Sequence, residues 1–168
     1  MKRRLLTLSA LLLAVGPAWA QSPKPISTFK DWTAYTVEEQ GGMACYMASQ
    51  PKASAPDGAK RGQIWALVTQ RPYKKVRDEV SITVGYPFEK GSAAQVEIDG
   101  KGHELFTDNE TAWAPSPDLD AKLVDAMRKG AKLTVTGTSE RGTKTVDTYS
   151  LSGFAAAHNA ILKACNVK

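Results

Sequence analysis

Histidine and cysteine are scarce in this sequence, with two of each among 168 residues. His103 and His158 stand far apart and outside any metal-ligand spacing, which argues against a zinc centre built on His/Cys pairs. There is no G-x-S-x-G elbow, no phosphate-binding Gly-Lys-Ser/Thr loop and no dinucleotide fingerprint. The usual motif-based routes to a hydrolase, a nucleotidase or a dehydrogenase are therefore missing, and no cofactor is expected. Beyond residue 20 no apolar run approaches the ~20 residues a spanning helix needs.

A strong charge of one sign is lacking too. The formal charge of +5 includes Lys2, Arg3 and Arg4; without them 19 basic residues face 17 acidic ones, or +2. That balance excludes nucleic acid as an expected partner.

Those three basic residues open a recognisable leader. A positive start, an apolar stretch from Leu5 to Val15 and the small-x-small site Ala18-Trp19-Ala20 give residues 1–20 the layout of a secretory signal peptide. An uncleaved anchor is the competing reading, and its apolar run is too short. The absence of cysteine at the cleavage site argues against a lipoprotein. The remaining 148 residues suit one domain, 31–168, preceded by a polar, flexible segment at 21–30. In an exported chain two cysteines read as one disulfide, Cys45–Cys165. Two free thiols, one of them nucleophilic, form the alternative, but no neighbouring group activates either sulfur.

Periodicity supplies the architecture. Alternating or β-branched segments predict strands over 32–37, 43–50, 63–70, 80–86, 94–99, 103–107, 111–114, 131–138 and 143–150. Segment 51–62, rich in Pro, Gly, Lys and Ala, reads as a loop, and Asp99-Gly100 marks a hairpin. Helical spacing appears twice. Leu119, Leu123, Val124 and Met127 line one face of 118–129, with Asp118 as a cap and Gly130 as the C′ residue. Phe154, Ala157, Ile161 and Cys165 recur by threes and fours after Ser152, another candidate cap. Short antiparallel strands with two short helices predict a mainly β protein, an antiparallel β-sandwich immunoglobulin-like in architecture.

Two features invite a functional reading. Residues 71–77, RPYKKVR, form the densest basic patch, making Arg71, Lys74, Lys75 and Arg77 candidates for contact with an acidic surface. A solvated inter-strand turn is the plainer reading, since Asp78 and Glu79 follow. Asp147, in a strand beside Tyr149, is read first as a structural carboxylate that accepts hydrogen bonds from a turn backbone or pairs with an arginine, Arg141 being the nearest, and second as a catalytic one. Trp32, Trp65 and Trp113 are core candidates; exposed on one sheet face they would instead mark a binding surface.

The stretch Asp147-Thr148-Tyr149-Ser150-Leu151-Ser152-Gly153-Phe154 followed by three alanines resembles the C-terminal signature of the invasion associated locus B family. Asp31-Trp32, Cys45-Tyr46-Met47-Ala48-Ser49-Gln50-Pro51, Gly85-Tyr86-Pro87, Ala112-Trp113-Ala114, Gly130 and Arg141-Gly142-Thr143 match in order, so the likeness runs from about residue 30 to 165. Members often carry a further cysteine pair, which this chain lacks. The resemblance makes Asp147, Tyr149, Gly153 and Phe154 a structural signature. It implies an exported protein of a Gram-negative envelope, periplasmic or at the cell surface, with peripheral outer-membrane association. The implied partner is an envelope or host protein, and the implied role is invasion in some members. A periplasmic module for a glycan or small ligand is the alternative function.

Overall fold

The computed structural model describes residues 22–167. The expected leader therefore lies outside the described residues. The chain is mainly β, with every strand pairing antiparallel and two helices added, as the periodicity requires. Eleven strands belong to one continuous sheet. In chain order they are β1 (Lys24–Phe29), β2 (Trp32–Glu39), β3 (Gly42–Ser49), β4 (Ala53–Ala55), β5 (Trp65–Arg71), β6 (Val76–Thr83), β7 (Ala93–Ile98), β8 (Lys101–Asp108), β9 (Thr111–Trp113), β10 (Lys132–Thr138) and β11 (Lys144–Ser150). Helix α1 (Pro117–Lys129) joins β9 to β10, and α2 (Phe154–Ala164) follows β11. The sheet order is β1-β2-β3-β5-β6-β9-β8-β7-β10-β11-β4.

The sheet curls until its first strands reach its last. Trp32 Nε1 donates to Ser150 O at 3.0 Å, and Asp31 N donates to Ser152 O at 3.2 Å. One buried cluster therefore takes Trp32 and Met47 from the first strands, Leu105 and Val135 from the later ones, and Leu123 and Phe154 from the helices. The alternation seen in sequence puts Ala34, Met47, Val68 and Val80 on this inner face, in register across four strands, with Ala112 of β9 on the same face opposite Ile82.

Local chemistry explains most boundaries. Asp99 and Gly100 both adopt positive φ (46° and 86°), the requirement of the two-residue turn whose twist matches its strands. In α1, Leu123, Val124 and Met127 are buried as their spacing predicts, with Leu119 packed at the margin. Its cap is Ser116 rather than Asp118: Ser116 Oγ accepts from Leu119 N at 3.3 Å, and Pro117 opens the helix. Gly130 ends it in an extended conformation (φ −85°) instead of a left-handed one.

Helix α2 begins on Gly153 rather than Ser152. Gly153 has φ 91°, and a Cβ there would lie 1.8 Å from Phe29 O. The turn between β1 and β2 rests directly on this backbone, so only glycine fits. Within the expected flexible segment 21–30, Lys24–Phe29 is instead β1, laddered onto β2 from Lys24↔Thr36 to Phe29↔Trp32. Its side chains are nearly all exposed, so the strand is held by backbone pairing and carries no burial pattern to read.

Candidate contact surface

The two cysteines are bonded. Cys45, on the inner face of β3, meets Cys165 at the end of α2 with a Cα–Cα distance of 5.9 Å and a sequence separation of 120. The disulfide and the Trp32–Phe154 edge-to-face contact (ring centroids 4.9 Å apart) both hold α2 against β2 and β3.

Asp147 lies wholly buried on β11, but its partner is Arg61 and not Arg141. Arg61 Nη1 donates to Asp147 Oδ2 at 2.9 Å, Nη2 donates to Oδ1, and Ser54 Oγ donates to Oδ1 at 2.7 Å. Only 5% of the arginine side chain and none of the aspartate's is exposed. Arg141 sits in the β10–β11 turn, three residues before β11 begins, and the Asp147 carboxylate is taken up by Arg61 and Ser54 instead. Part of the expected loop 51–62 forms β4, an edge strand whose Ser54 lies opposite Asp147. Nothing in that loop's composition marks Arg61 as the partner. Tyr149, next on the inner face, has a buried hydroxyl; burial and then the Asp147 charge push its ionisation far above the ordinary tyrosine range. Phe154 is fully buried beside Trp32. Asp147, Tyr149 and Phe154 are thus all buried, and Gly153 lies against Phe29.

Beside Arg61 opens a cleft of about 460 Å³, lined by Asp57, Lys60, Tyr86, Glu140 and Arg141 among others. Its wall carries both charges. Arg61 is committed to Asp147, and Tyr86 Oη lies 2.6 Å from Thr145 Oγ1.

The basic patch is broken up by the fold. Arg71 pairs with Glu79 at 2.6 Å and Glu39 at 3.2 Å. Lys74 Nζ stands over the Tyr73 ring at 5.5 Å, Lys75 turns the chain at φ 58°, and Arg77 Nε is 3.5 Å from Asp78 Oδ2. Lys74, Lys75 and Arg77 are exposed. Tyr73 donates its hydroxyl to Glu39, which holds the Glu39 carboxyl below its ordinary range.

The histidines part company. His103 sits half-buried on β8, opposite Val96. His158, on the buried face of α2, bridges elements: Nε2 lies 2.6 Å from Asp78 Oδ1 and Nδ1 2.7 Å from Arg128 Nη1. A guanidinium only donates, so the proton on the ring belongs to Nε2 and is given to Asp78. Burial works against ionisation of Asp78, but bonds from His158 and then Gln70 outweigh it and lower the carboxyl below its usual range. Nearby Asp120 is only 8% exposed and accepts from Val80 N at 2.8 Å. Burial raises its carboxyl to about 6, helped by the charges of Glu79 and Asp78. Among the described residues no group of three or more His, Cys, Asp or Glu could hold a metal ion.

Trp65 and Trp113 face outward. Cross-strand register places Ala48, Leu67, Ser81, Trp113, Phe106 and Ala93 in one row across β3, β5, β6, β9, β8 and β7 on the outer face. Trp65 lies on the same face, two residues from Leu67, and Tyr35 stacks on Tyr46 with centroids 5.0 Å apart. Phe106 is 51% exposed, the most open large apolar residue among those described, while Leu67, Trp65 and Trp113 are half-buried. Alternation alone could not tell this row from core, because both faces of β5 carry apolar residues.

Residues 32–162 match the family model described as "Invasion associated locus B (IalB) protein". The chain belongs to the invasion associated locus B family. Among solved structures it is similar to the crystal structure of invasion associated protein b from Bartonella henselae. That match has a TM-score of 0.56 and 14% identity, and it covers 87% of this chain and 99% of that one. No match was found among curated proteins. The order of short motifs from Asp31 to Phe154 thus led to the right family, and the likeness in structure extends to the fold.

Proposed function

We propose that this invasion associated locus B protein is exported to the periplasm or cell surface and acts there through contact with another protein rather than through catalysis. The observation that carries the reading is the Leu67–Trp113–Phe106 row. It is an apolar strip on an open sheet face, the form a protein partner fits better than a small ligand does. The partner is an envelope or host protein, and peripheral association with the outer membrane fits an exported chain. The solved relative is titled an invasion associated protein, and a role in host-cell contact is proposed for this chain on that likeness. No helix among the described residues is long and apolar enough to cross a membrane.

The test is a pull-down from envelope extracts with the wild type and Phe106→Ser, followed by mass spectrometry. A partner retained by the wild type and lost by the equally stable variant supports the reading. A partner retained equally by both places the contact elsewhere.

A second reading rests on the cleft of about 460 Å³ beside Arg61 and Tyr86, whose size and mixed polar wall suit a glycan or small ligand. Binding of such a ligand that Arg141→Ala abolishes and Phe106→Ser leaves alone would favour it.

A further inference from the structure

We propose that the segment docking on the outer face of β5, β6, β9 and β8 is an apolar stretch of protein with a basic rim. This rests on the contact-surface reading and adds the partner's chemistry. Side chains alternate along β8, so Glu104 and Asp108 flank Phe106 on its own face. Glu97 on β7, opposite Gly102, extends the same rim. Glu104 accepts from the Gln95 amide at 3.1 Å and Asp108 from the Asn109 amide at 3.2 Å. No ion pair among the described residues uses either carboxylate. Arg71, on this face of β5, has its charge taken up by Glu39 and Glu79.

The strip is therefore bordered by negative charge that the fold leaves unneutralised, on a chain whose remaining balance is +2. An anionic bilayer or an acidic glycan would be repelled by such a border, whereas lysines or arginines at the edge of an incoming apolar segment would be attracted to it. Trp113 and Phe106, adjacent across β9 and β8, supply the aromatic anchor that dominates small interfaces.

The full chain lacking residues 1–20 can be titrated with a synthetic amphipathic Leu/Lys peptide and with its Leu/Glu counterpart. Intrinsic tryptophan fluorescence follows binding, since Trp113 and Trp65 lie on the face. The Leu/Lys peptide should bind, more weakly as salt rises, and the Leu/Glu peptide should not. The double variant Glu104→Lys/Asp108→Lys should lose at least about tenfold in Leu/Lys affinity and gain affinity for Leu/Glu. Phe106→Ser should weaken binding without changing the preference. Equal affinity for the two peptides, indifference to the charge reversal, or self-association of the chain through this face in sedimentation would overturn the proposal. The envelope pull-down separates the two levels. A partner lost with Phe106→Ser but kept with the charge reversal leaves the contact surface standing and removes the basic rim; a partner kept by both removes both. Melting curves establish that each variant is folded, which the exposure of all three side chains favours.

Discussion

Arg61 and Asp147 meet fork to fork across 86 residues of chain, both sealed from solvent, with Ser54 completing the carboxylate's bonds. Such a pair is a poor measure of net stability, but removing one member leaves a buried charge without compensation. Asp147→Asn is therefore expected to cost about 3–5 kcal/mol in urea melts. Arg61→Met combined with Asp147→Leu should cost less than either single change. A double variant worse than both singles would show that the pair holds the 51–62 segment in a way apolar packing cannot replace.

The carboxyl of Asp120 titrates near 6 against an ordinary 3.8. A raised carboxyl binds its proton more tightly in the folded state, so this contribution is full below about pH 4 and is lost as pH rises through 6. Asp120→Asn keeps an acceptor for Val80 N and has no charge to bury. Relative to the wild type it should gain stability at pH 7.5, by roughly 1–2 kcal/mol after discounting for nearby solvent. The gain should fade by pH 4. Paired melts across that range check the sign, and a constant difference between the two proteins would refute it.

Leu123 is fully buried on α1, and Lys122 beside it is exposed. Leu123→Ala should cost about 2–5 kcal/mol and Lys122→Ala under ~0.5. Similar losses at both would contradict the orientation of α1.

Two glycines with similar backbone angles should behave differently on substitution. Gly142 has φ 79° with open space where a Cβ would stand, whereas at Gly153 that atom would overlap Phe29 O. Gly142→Ala should cost about 1–2 kcal/mol, the ordinary penalty of left-handed backbone. Gly153→Ala should cost more and should also loosen β1. Hydrogen exchange at the β1 amides would report the second effect directly.

What was legible in sequence follows from the range of the forces. Local rules placed nine of the eleven strands, the 99–100 turn and the buried stripe of α1, since each depends on neighbours a few residues away. Composition and compartment pointed to Cys45–Cys165, there being no third cysteine to compete. Arg61 stayed hidden because a salt partner 86 residues distant leaves no mark in local pattern. Strand β1 stayed hidden because it buries almost nothing, and a strand held by backbone bonds has no hydropathy signature. The outer aromatic row was visible only as apolar residues on both faces of β5; its exposure is a property of the curled sheet.

The position of the disulfide has one more consequence. Cys45 and Cys165 bracket the eight strands β4 to β11, both helices and the surface turns from 56–61 to 139–143. A protease that cuts once in any of those turns yields two pieces still covalently joined. Nicked protein should run at full length on a non-reducing gel and separate only when the sulfurs are reduced, so a cut in an exposed turn does not by itself release either piece from the other.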